Sequence, residues 1–382
     1  MSQPFRIDVP DDVLDDLRQR VARARFAAPS SDRYWSTGVD PGWLKELADY
    51  WATEFDWRSI EGALNAHPQF VATINDAPLH YVHIPAETQP AVPIILAHGW
   101  PSCFTEMLEL ANRLARPSRS GSDDVAYDVV VPSLPGFLFS GLPEGPLTRA
   151  AIAGALHSLM VDELNYDRYA IFGGDIGGAS GAWMAAAHPE SVVGILQIHP
   201  SFPASFDASP ITADEQAFLD AEAVYDEADG GYSSIMATRP DTIAAALIDS
   251  PVGLLGWIAD KYRDWSDCGG DLESRFDRDT LLTIATLYWV TGSIGTSFRQ
   301  YVDYEHNGDR GAVTVPAAFT LSTEPGMTGF PRSIAERAYT DIRAWKTPGH
   351  GGHFLGFEEP QLIAADIREF LAGLDESTTR NP

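Results

Sequence analysis

Residues 173–177 have the sequence Gly-Gly-Asp-Ile-Gly, and this stretch decides the fold class. A largely apolar run at 168–172 precedes it and predicts a short buried strand, while the small residues at 179–187 predict a helix. A strand, a tight glycine turn and a helix in this order are typical of a nucleophile elbow, which lifts a side chain above a parallel sheet. Glycines suit this turn because it is strained and the helix packs closely on the strand.

The residue that this turn would lift is Asp175, where many such elbows carry serine. A carboxylate is already ionised at pH 7 and needs no base before it attacks. Its attack on carbon forms an ester, so it suits substrates with an alkyl–oxygen or alkyl–halogen bond to break. A plain glycine-rich turn with a capping aspartate fits the same residues. A dinucleotide fingerprint does not, because no glycine here has glycines two and five positions after it.

Composition limits the class of protein. The 382 residues carry a net charge of −28, which argues against nucleic acid and anionic membranes as partners. Cys103 and Cys268 are far apart and lack metal-ligand spacing, so we expect neither a disulfide framework nor a metal site. This cysteine usage fits a protein of the reducing cytoplasm. The first residues lack the apolar core of a signal peptide, and no run of about 18 apolar residues occurs. We therefore expect a cytoplasmic protein without a membrane anchor.

Apolar strands alternate with helical stretches and predict an α/β fold with a mostly parallel sheet and helices on both faces. Strands are expected at 70–74, 78–84, 92–97, 127–131, 168–172, 192–198 and 313–321, and helical regions at 10–26, 41–66 and 360–374. The alternation stops between 201 and 307, where the pattern is helical. We expect an N-terminal helical extension packing on the core (1–68), the first half of the core (69–200), a helical lid (201–307) and the second half of the core (308–382).

An acid and a histidine follow the nucleophile in α/β-hydrolases, each on a loop after a late strand. Glu324 lies three residues past the strand predicted to end at Leu321, and His353 lies in a glycine-rich loop before the last helix. We therefore predict that Asp175, Glu324 and His353 act together. The alternatives are a solvated carboxylate and an inert loop histidine, and His350 is the rival to His353.

Residues 98–101, His-Gly-Trp-Pro, follow an early predicted strand, where these folds place half of the oxyanion hole. The backbone N–H groups of Trp100 and Ile176 are thus predicted to receive negative charge when water attacks the ester. A plain strand-to-loop turn with a structural proline is the alternative.

Taken together, these motifs resemble the epoxide hydrolases of the α/β-hydrolase fold, on the microsomal and juvenile-hormone side of that family, in a bacterial soluble form. The resemblance covers nearly the whole chain, and so many motifs in one order are specific. They lie at 50–51, 55–58, 65–70, 98–101, 135–137, 173–175, 238–242, 249–253 and 351–354.

The resemblance implies that two lid tyrosines donate hydrogen bonds to the epoxide oxygen. By motif these are Tyr232 and Tyr301, with Tyr225, Tyr288 and Tyr304 as fallbacks. The epoxide oxygen becomes an alkoxide as the ring opens, and a phenol, with a pKa of about 10, can hydrogen-bond it and then protonate it.

It also implies hydrolysis of an epoxide by water to a vicinal diol through an aspartyl ester, with no cofactor and no metal. A homodimer is left open. Ile176 stands where microsomal relatives often have tryptophan, and Met236 where relatives often have glutamine, which puts the regiochemistry in doubt. The Ala-, Asp- and Arg-rich composition is typical of high-GC bacteria, where some relatives act in antibiotic biosynthesis.

Two other functions stay open. A haloalkane dehalogenase shares the elbow aspartate, the histidine and the lid, but it needs N–H donors that bind halide. Trp100 could supply such a donor, which keeps this alternative open, whereas the tyrosine pair favours an epoxide. A non-enzymatic ligand-binding homologue would keep the fold alone, and the intact set of Asp175, Glu324 and His353 argues against it.

Overall fold

The structure, a computed structural model, describes residues 2–31, 34–121, 124–206 and 208–374. Its strands form one nine-stranded sheet in the order β1-β2-β3-β5-β4-β6-β7-β8-β9. Their bounds are β1 Gln3–Phe5, β2 Gln69–Ile74, β3 Ala77–Ile84, β4 Val92–Ala97, β5 Tyr127–Pro132, β6 Tyr169–Gly173, β7 Val192–Gln197, β8 Ala317–Thr320 and β9 Ile342–Lys346.

The sheet is antiparallel at one side and parallel over the rest. Pairs β1–β2, β2–β3 and β3–β5 are antiparallel, and every pair from β5 through β4 to β9 is parallel. The strands predicted at 70–74 and 78–84 form a hairpin: Asn75 and Asp76 join β2 to β3, each with a positive φ, as a two-residue turn with the right twist requires. The parallel part brings the carboxyl ends of β4, β6, β7 and β8 to one edge of the sheet.

Three strand predictions were incomplete or wrong. β1 was not predicted, because three residues at an edge show no measurable alternation. β9 was also missed, since its half-exposed residues lack the apolar run of a central parallel strand. The strand expected at 313–321 is confined to Ala317–Thr320, because Val313 forms only an isolated bridge with Tyr339 and Pro316 follows it.

Helices cover both faces of the sheet and fill the segment between β7 and β8. Those outside that segment are α1 Asp11–Ala22, α2 Pro41–Thr53, α3 Trp57–Leu64, α4 Leu108–Ala115, α5 Arg149–Ser158, α6 Asp175–Ala187, α14 Arg332–Glu336, α15 Leu355–Glu358 and α16 Pro360–Ala372. Those inside it are α7 Ala213–Asp229, α8 Gly231–Thr238, α9 Pro240–Asp249, α10 Pro251–Trp265, α11 Arg278–Thr291, α12 Ile294–Ser297 and α13 Arg299–Val302.

The region expected to be helical at 41–66 is two helices rather than one. Asp40 caps α2 by accepting hydrogen bonds from the N–H groups of Gly42 and Trp43, and Asp56 caps α3 through Ser59. The second cap marks the break. A hydrogen bond joins α2 to the inserted segment: the Trp43 indole donates to Glu273 Oε1 (2.9 Å).

The inserted segment is helical, as its pattern predicted, and the domain division drawn from the sequence stays a prediction. Within the described ranges, no single helix is long and apolar enough to cross a bilayer. Two pairs of helices, α9 with α10 and α11 with α12–α13, reach the necessary length and hydropathy together, but each pair is bent by 100° or more.

Candidate active site

Asp175 lies where β6 ends and α6 begins, on a turn with an unusual backbone conformation. Its φ is 49°, in the left-handed region that non-glycine residues rarely adopt, at a typical cost of about 1–3 kcal/mol. The neighbouring glycines make the turn possible. A Cβ on Gly177 would lie 2.2 Å from the Ala97 carbonyl oxygen, so any larger residue would push the helix off the sheet.

The Asp175 carboxylate is held by the loop after β4. The Trp100 N–H donates to Asp175 Oδ1 over 2.8 Å. Gly99 permits this approach, because a Cβ there would lie 2.3 Å from the same oxygen. His98 shapes the loop: its Nδ1–H donates to the Gly99 carbonyl (3.0 Å), and Nε2 accepts from the Leu134 N–H (3.2 Å). Burial lowers the pKa of His98 to about 4, so this ring is a neutral structural element.

Ile176 occupies the first turn of α6, and its side chain is fully buried. Trp100 and Ile176, the two residues predicted to form the oxyanion hole, therefore both lie next to Asp175. Met236, on α8, is also fully buried.

Glu324 and His353 are brought together from two loops. Glu324 follows β8, and His353 lies between β9 and α15. The His353 Nδ1–H donates to Glu324 Oε2 over 2.8 Å, which leaves Nε2 for other partners. The backbone N–H of His353 donates to the Trp265 carbonyl (2.8 Å), and its ring packs against the Trp265 indole at 4.9 Å. A helix of the inserted segment thus fixes the imidazole.

The charges in this pair reinforce each other. Burial alone would lower the pKa of His353, but the nearby carboxylates, led by Glu324 and followed by Asp175 and Glu106, outweigh it and raise that pKa to about 9. Burial would raise the pKa of Glu324, but the adjacent His353 lowers it. The pair is therefore an imidazolium–carboxylate ion pair at pH 7 in the free protein.

His199 belongs to the same cluster and was missed from the sequence. Its Nε2 pairs with Ser322 Oγ (2.7 Å), and its Nδ1 lies 3.7 Å from Glu324 Oε2. Burial lowers the pKa of His199 to about 4, against the pull of Glu324, so it is neutral at pH 7. A signal was available: His199 lies two residues past β7, at the edge where Asp175 and Glu324 were expected.

Aromatic rings cover the Asp175 side of the site. Tyr232 stacks on Trp100, with ring centroids 5.3 Å apart and planes 10° apart. Tyr301 meets Trp100 edge-on at 6.1 Å and Tyr232 at 6.2 Å. Burial, together with the charge of Asp175, raises the pKa of both phenols. The structure thus brings the two predicted tyrosines together over the loop that holds the nucleophile candidate.

A buried ion pair lies beside the Tyr232 ring and was not predicted from the sequence. Lys261, on α10, pairs with Asp229 at the end of α7, and its ammonium lies 5.2 Å from the centre of the Tyr232 ring. The Trp265 indole donates to the second oxygen of Asp229 (2.9 Å). Lys261 and Asp229 are far apart in sequence, and nothing in their local pattern indicates the pairing.

The fallback residues have other surroundings. The Tyr225 hydroxyl donates to Asp229 (3.2 Å), and that of Tyr288 donates to the Ser102 carbonyl (2.8 Å). Tyr304 is 64% exposed. His350, the rival histidine, lies 3.5 Å from Glu359 and is half exposed, away from Glu324.

A cavity of about 670 Å³ opens onto this cluster. Its lining includes Asp175, Glu324, His353 and His199, together with Arg149 and Trp183. This volume suits a small organic molecule. Among the residues that the structure describes, no three or more His, Cys, Asp or Glu side chains are grouped so as to hold a metal ion.

Comparisons with known proteins agree with this arrangement. A family described as "Epoxide hydrolase N terminus" matches residues 2–107, and one described as "alpha/beta hydrolase fold" matches 92–229. The chain is 30% identical to "Epoxide hydrolase 1" of Sus scrofa, over 98% of this chain and 89% of that protein. It is 32% identical to "Juvenile hormone epoxide hydrolase 2" of Ctenocephalides felis, over 96% of this chain and 84% of the relative. The crystal structure of juvenile hormone epoxide hydrolase from Bombyx mori superposes with a TM-score of 0.84 at 29% identity, covering 98% of this chain and 94% of that one.

The sheet order, the strained aspartate elbow and the histidine after the last strand define an α/β-hydrolase, and the fold class predicted from the sequence is confirmed. The chain belongs to the epoxide hydrolase family within that class. It is therefore an enzyme whose substrates are an epoxide and water.

The raised pKa of His353 gives a direct test of the site's electrostatics. In the free enzyme, imidazole titration followed by ¹⁵N NMR is expected to place this pKa near 9, above the ordinary 6.5. Glu324→Gln removes the leading charge that raises it, so the pKa falls in that variant. His350→Gln is the matched control and leaves the His353 titration unchanged. A pKa at or below 6.5 in the unmodified protein would contradict the ion pair.

Proposed function

We propose that the enzyme opens its epoxide through a covalent aspartyl ester on Asp175. The single observation that carries this proposal is the strained elbow, which holds the Asp175 carboxylate on the Trp100 N–H at the end of a cavity shared with the His353–Glu324 pair. A carboxylate used only for structure has no need of a costly backbone conformation that exposes it to a cavity.

In the first step, Asp175 attacks an epoxide carbon. Oδ1 accepts the Trp100 N–H, so Oδ2 is the attacking atom. The new C–O bond forms as the ring C–O bond breaks, and the electron pair moves onto the epoxide oxygen. Tyr232 and Tyr301 hydrogen-bond that oxygen, and one of them donates its proton to the alkoxide. Their raised pKa values suit this role, because the protonated phenol is retained until the strongly basic alkoxide appears.

In the second step, His353 activates water against the ester. Its Nε2 removes a proton as the water oxygen attacks the Asp175 carboxyl carbon, and Glu324 stabilises the imidazolium. The N–H groups of Trp100 and Ile176 receive the oxyanion. The diol then leaves with the former Oδ2, which takes the remaining proton of the attacking water, and Asp175 is restored with an oxygen from water. The proton that His353 removed returns, directly or through water, to the phenolate formed in the first step.

Ester formation prepares His353 for this second step. The negative charge of Asp175 helps to raise the pKa of His353, and esterification removes that charge. The pKa of the imidazole therefore falls when the intermediate forms, and a larger neutral fraction becomes available as base. The two half-reactions are linked through this charge.

We also propose a lid function and a location for the enzyme. Residues 201–307 would act as a lid that supplies the tyrosines, and the two isolated cysteines support a cytoplasmic location. A homodimer and a role in bacterial secondary metabolism, such as antibiotic biosynthesis, rest on the sequence resemblance alone. The similarity to relatives named as epoxide hydrolases disfavours the dehalogenase and the ligand-binding protein.

Blocking the second step tests whether Asp175 forms the ester and His353 promotes its hydrolysis. His353→Gln removes the base but leaves Asp175 and the tyrosines, so the alkyl-enzyme should accumulate and appear by mass spectrometry as a gain equal to the substrate's mass. Asp175→Ala should give no adduct and no turnover, and His350→Gln should behave as the unmodified enzyme. Loss of turnover in His353→Gln without any adduct would remove His353 from this role.

The tyrosines should affect only the first step. Each of Tyr232→Phe and Tyr301→Phe removes a donor that strengthens as the alkoxide develops, worth about 2–4 kcal/mol by analogy with oxyanion-hole donors. One phenol partly compensates for the other, so single variants slow adduct formation and the double variant nearly stops it, as stopped-flow measurements would show. Tyr304→Phe is the matched control. An unchanged alkylation rate in the double variant would assign the acid to another residue.

A further inference from the structure

The cavity that reaches Asp175 is also lined by two arginines, Arg149 and Arg310. Acidic residues outnumber basic ones in this chain by 54 to 26, so carboxylate partners for arginine are abundant. Yet in the described ranges no carboxylate lies within 4.0 Å of either guanidinium. Neither cation is therefore paired directly with a protein carboxylate in the part of the chain that the structure describes.

Arg149 is the first residue of α5 and lines the cavity. Its Nη1 donates to Gln300 Oε1, and its backbone N–H donates to Asn307 (2.7 Å). Burial lowers the pKa of Arg149 against the opposing charge of Asp175, but an arginine with a lowered pKa is still a cation at pH 7. The guanidinium is thus oriented by a neutral amide and not neutralised.

Gln300 adds a second unused donor beside it. The residue is 1% exposed, and its Nε2 has no hydrogen-bond partner among the described residues. A buried amide N–H without an acceptor is destabilising, and a bound acceptor would remove that cost. Gln300 immediately precedes Tyr301 on α13.

Arg310 also lines the cavity and is likewise held by uncharged groups. Its Nη2 donates to the Phe202 carbonyl (3.3 Å), and its guanidinium lies 5.4 Å from the centre of the Tyr339 ring. Its Nη1 is buried and has no partner among the described residues. The side chain is held in place with one donor left over.

The acidic groups in the same cavity leave this positive region uncompensated. Glu324 is paired with His353, and the single charge of Asp175 does not balance two arginines. Glu305 and Asp309 line the cavity but are exposed, where water screens them. None of the four forms an ion pair with Arg149 or Arg310.

We propose that the substrate is an epoxide bearing an anionic group, and that Arg149 binds this group with the Gln300 amide beside it. Arg310 offers a second contact for an anion placed further from the ring. This inference rests on the proposed function, and it names the class of epoxide that the site prefers. An Arg guanidinium binds a carboxylate through two parallel N–H···O bonds, which also fixes the orientation of the epoxide against Asp175.

A matched pair of substrates tests the inference: styrene oxide with a para carboxylate, and the methyl ester of the same compound. The unmodified enzyme should show a kcat/KM about 10- to 100-fold higher for the carboxylate, as expected for a charged hydrogen bond. Arg149→Met should remove most of this preference, mainly through KM, and Arg149→Lys should retain part of it. Arg332→Met, a surface arginine outside the cavity, should keep the full preference.

Several results would overturn it. Equal kcat/KM values for the two compounds in the unmodified enzyme would do so, and so would an equal loss on both in Arg149→Met, since that variant would then only loosen the contact between α5 and Gln300. If Arg149→Met does not fold, Arg149→Lys and Arg310→Met provide the comparison, and an unchanged ratio in both would count against the inference. If the enzyme opens the epoxide of the methyl ester compound but not that of the carboxylate compound, only this inference is refuted. If neither compound alkylates Asp175, the proposed function is contradicted as well.

Discussion

The left-handed backbone of Asp175 is the constraint on which the rest of the site depends. A φ of 49° is tolerated only because β4 and α6 approach closely enough to enforce it, and glycines at 99 and 177 allow that approach. The same close packing delivers the Trp100 N–H to Asp175 Oδ1. One backbone feature therefore positions the proposed attacking oxygen, half of the proposed oxyanion hole and the indole on which Tyr232 stacks.

Charge is the second organising principle. One histidine, His353, is surrounded by Glu324, Asp175 and Glu106, so it is a cation until chemistry removes a negative charge. His199, neutral and bonded to Ser322, lies near the same Glu324 oxygen without competing for the proton. In the proposed mechanism this arrangement links the protonation of His353 to the esterification of Asp175, and the two arginines are proposed to attract a negative charge on the substrate.

The sequence predicted the parallel sheet, the elbow and the order of Asp175, Glu324 and His353, because each has a local signal: an apolar strand, a glycine turn, or a position just after a strand. Tyr232 and Tyr301 came from family resemblance, since a lid tyrosine has no local signature. β9 was missed because its half-exposed residues lack an apolar run. Arg149, Lys261 and Asp229 were missed because their partners, Gln300 among them, are distant in sequence and only the tertiary fold brings them together.

The central claim is that Asp175 becomes covalently bonded to substrate, and a single turnover in ¹⁸O-water tests it most directly. Excess enzyme would be mixed with epoxide, and both the diol and the peptide containing Asp175 would be analysed by mass spectrometry. The account predicts that the first diol is unlabelled, because its new oxygen comes from Asp175, and that the label appears in the Asp175 carboxylate. Label in the first diol, with none in Asp175, would mean that water attacks the epoxide directly and would contradict the account.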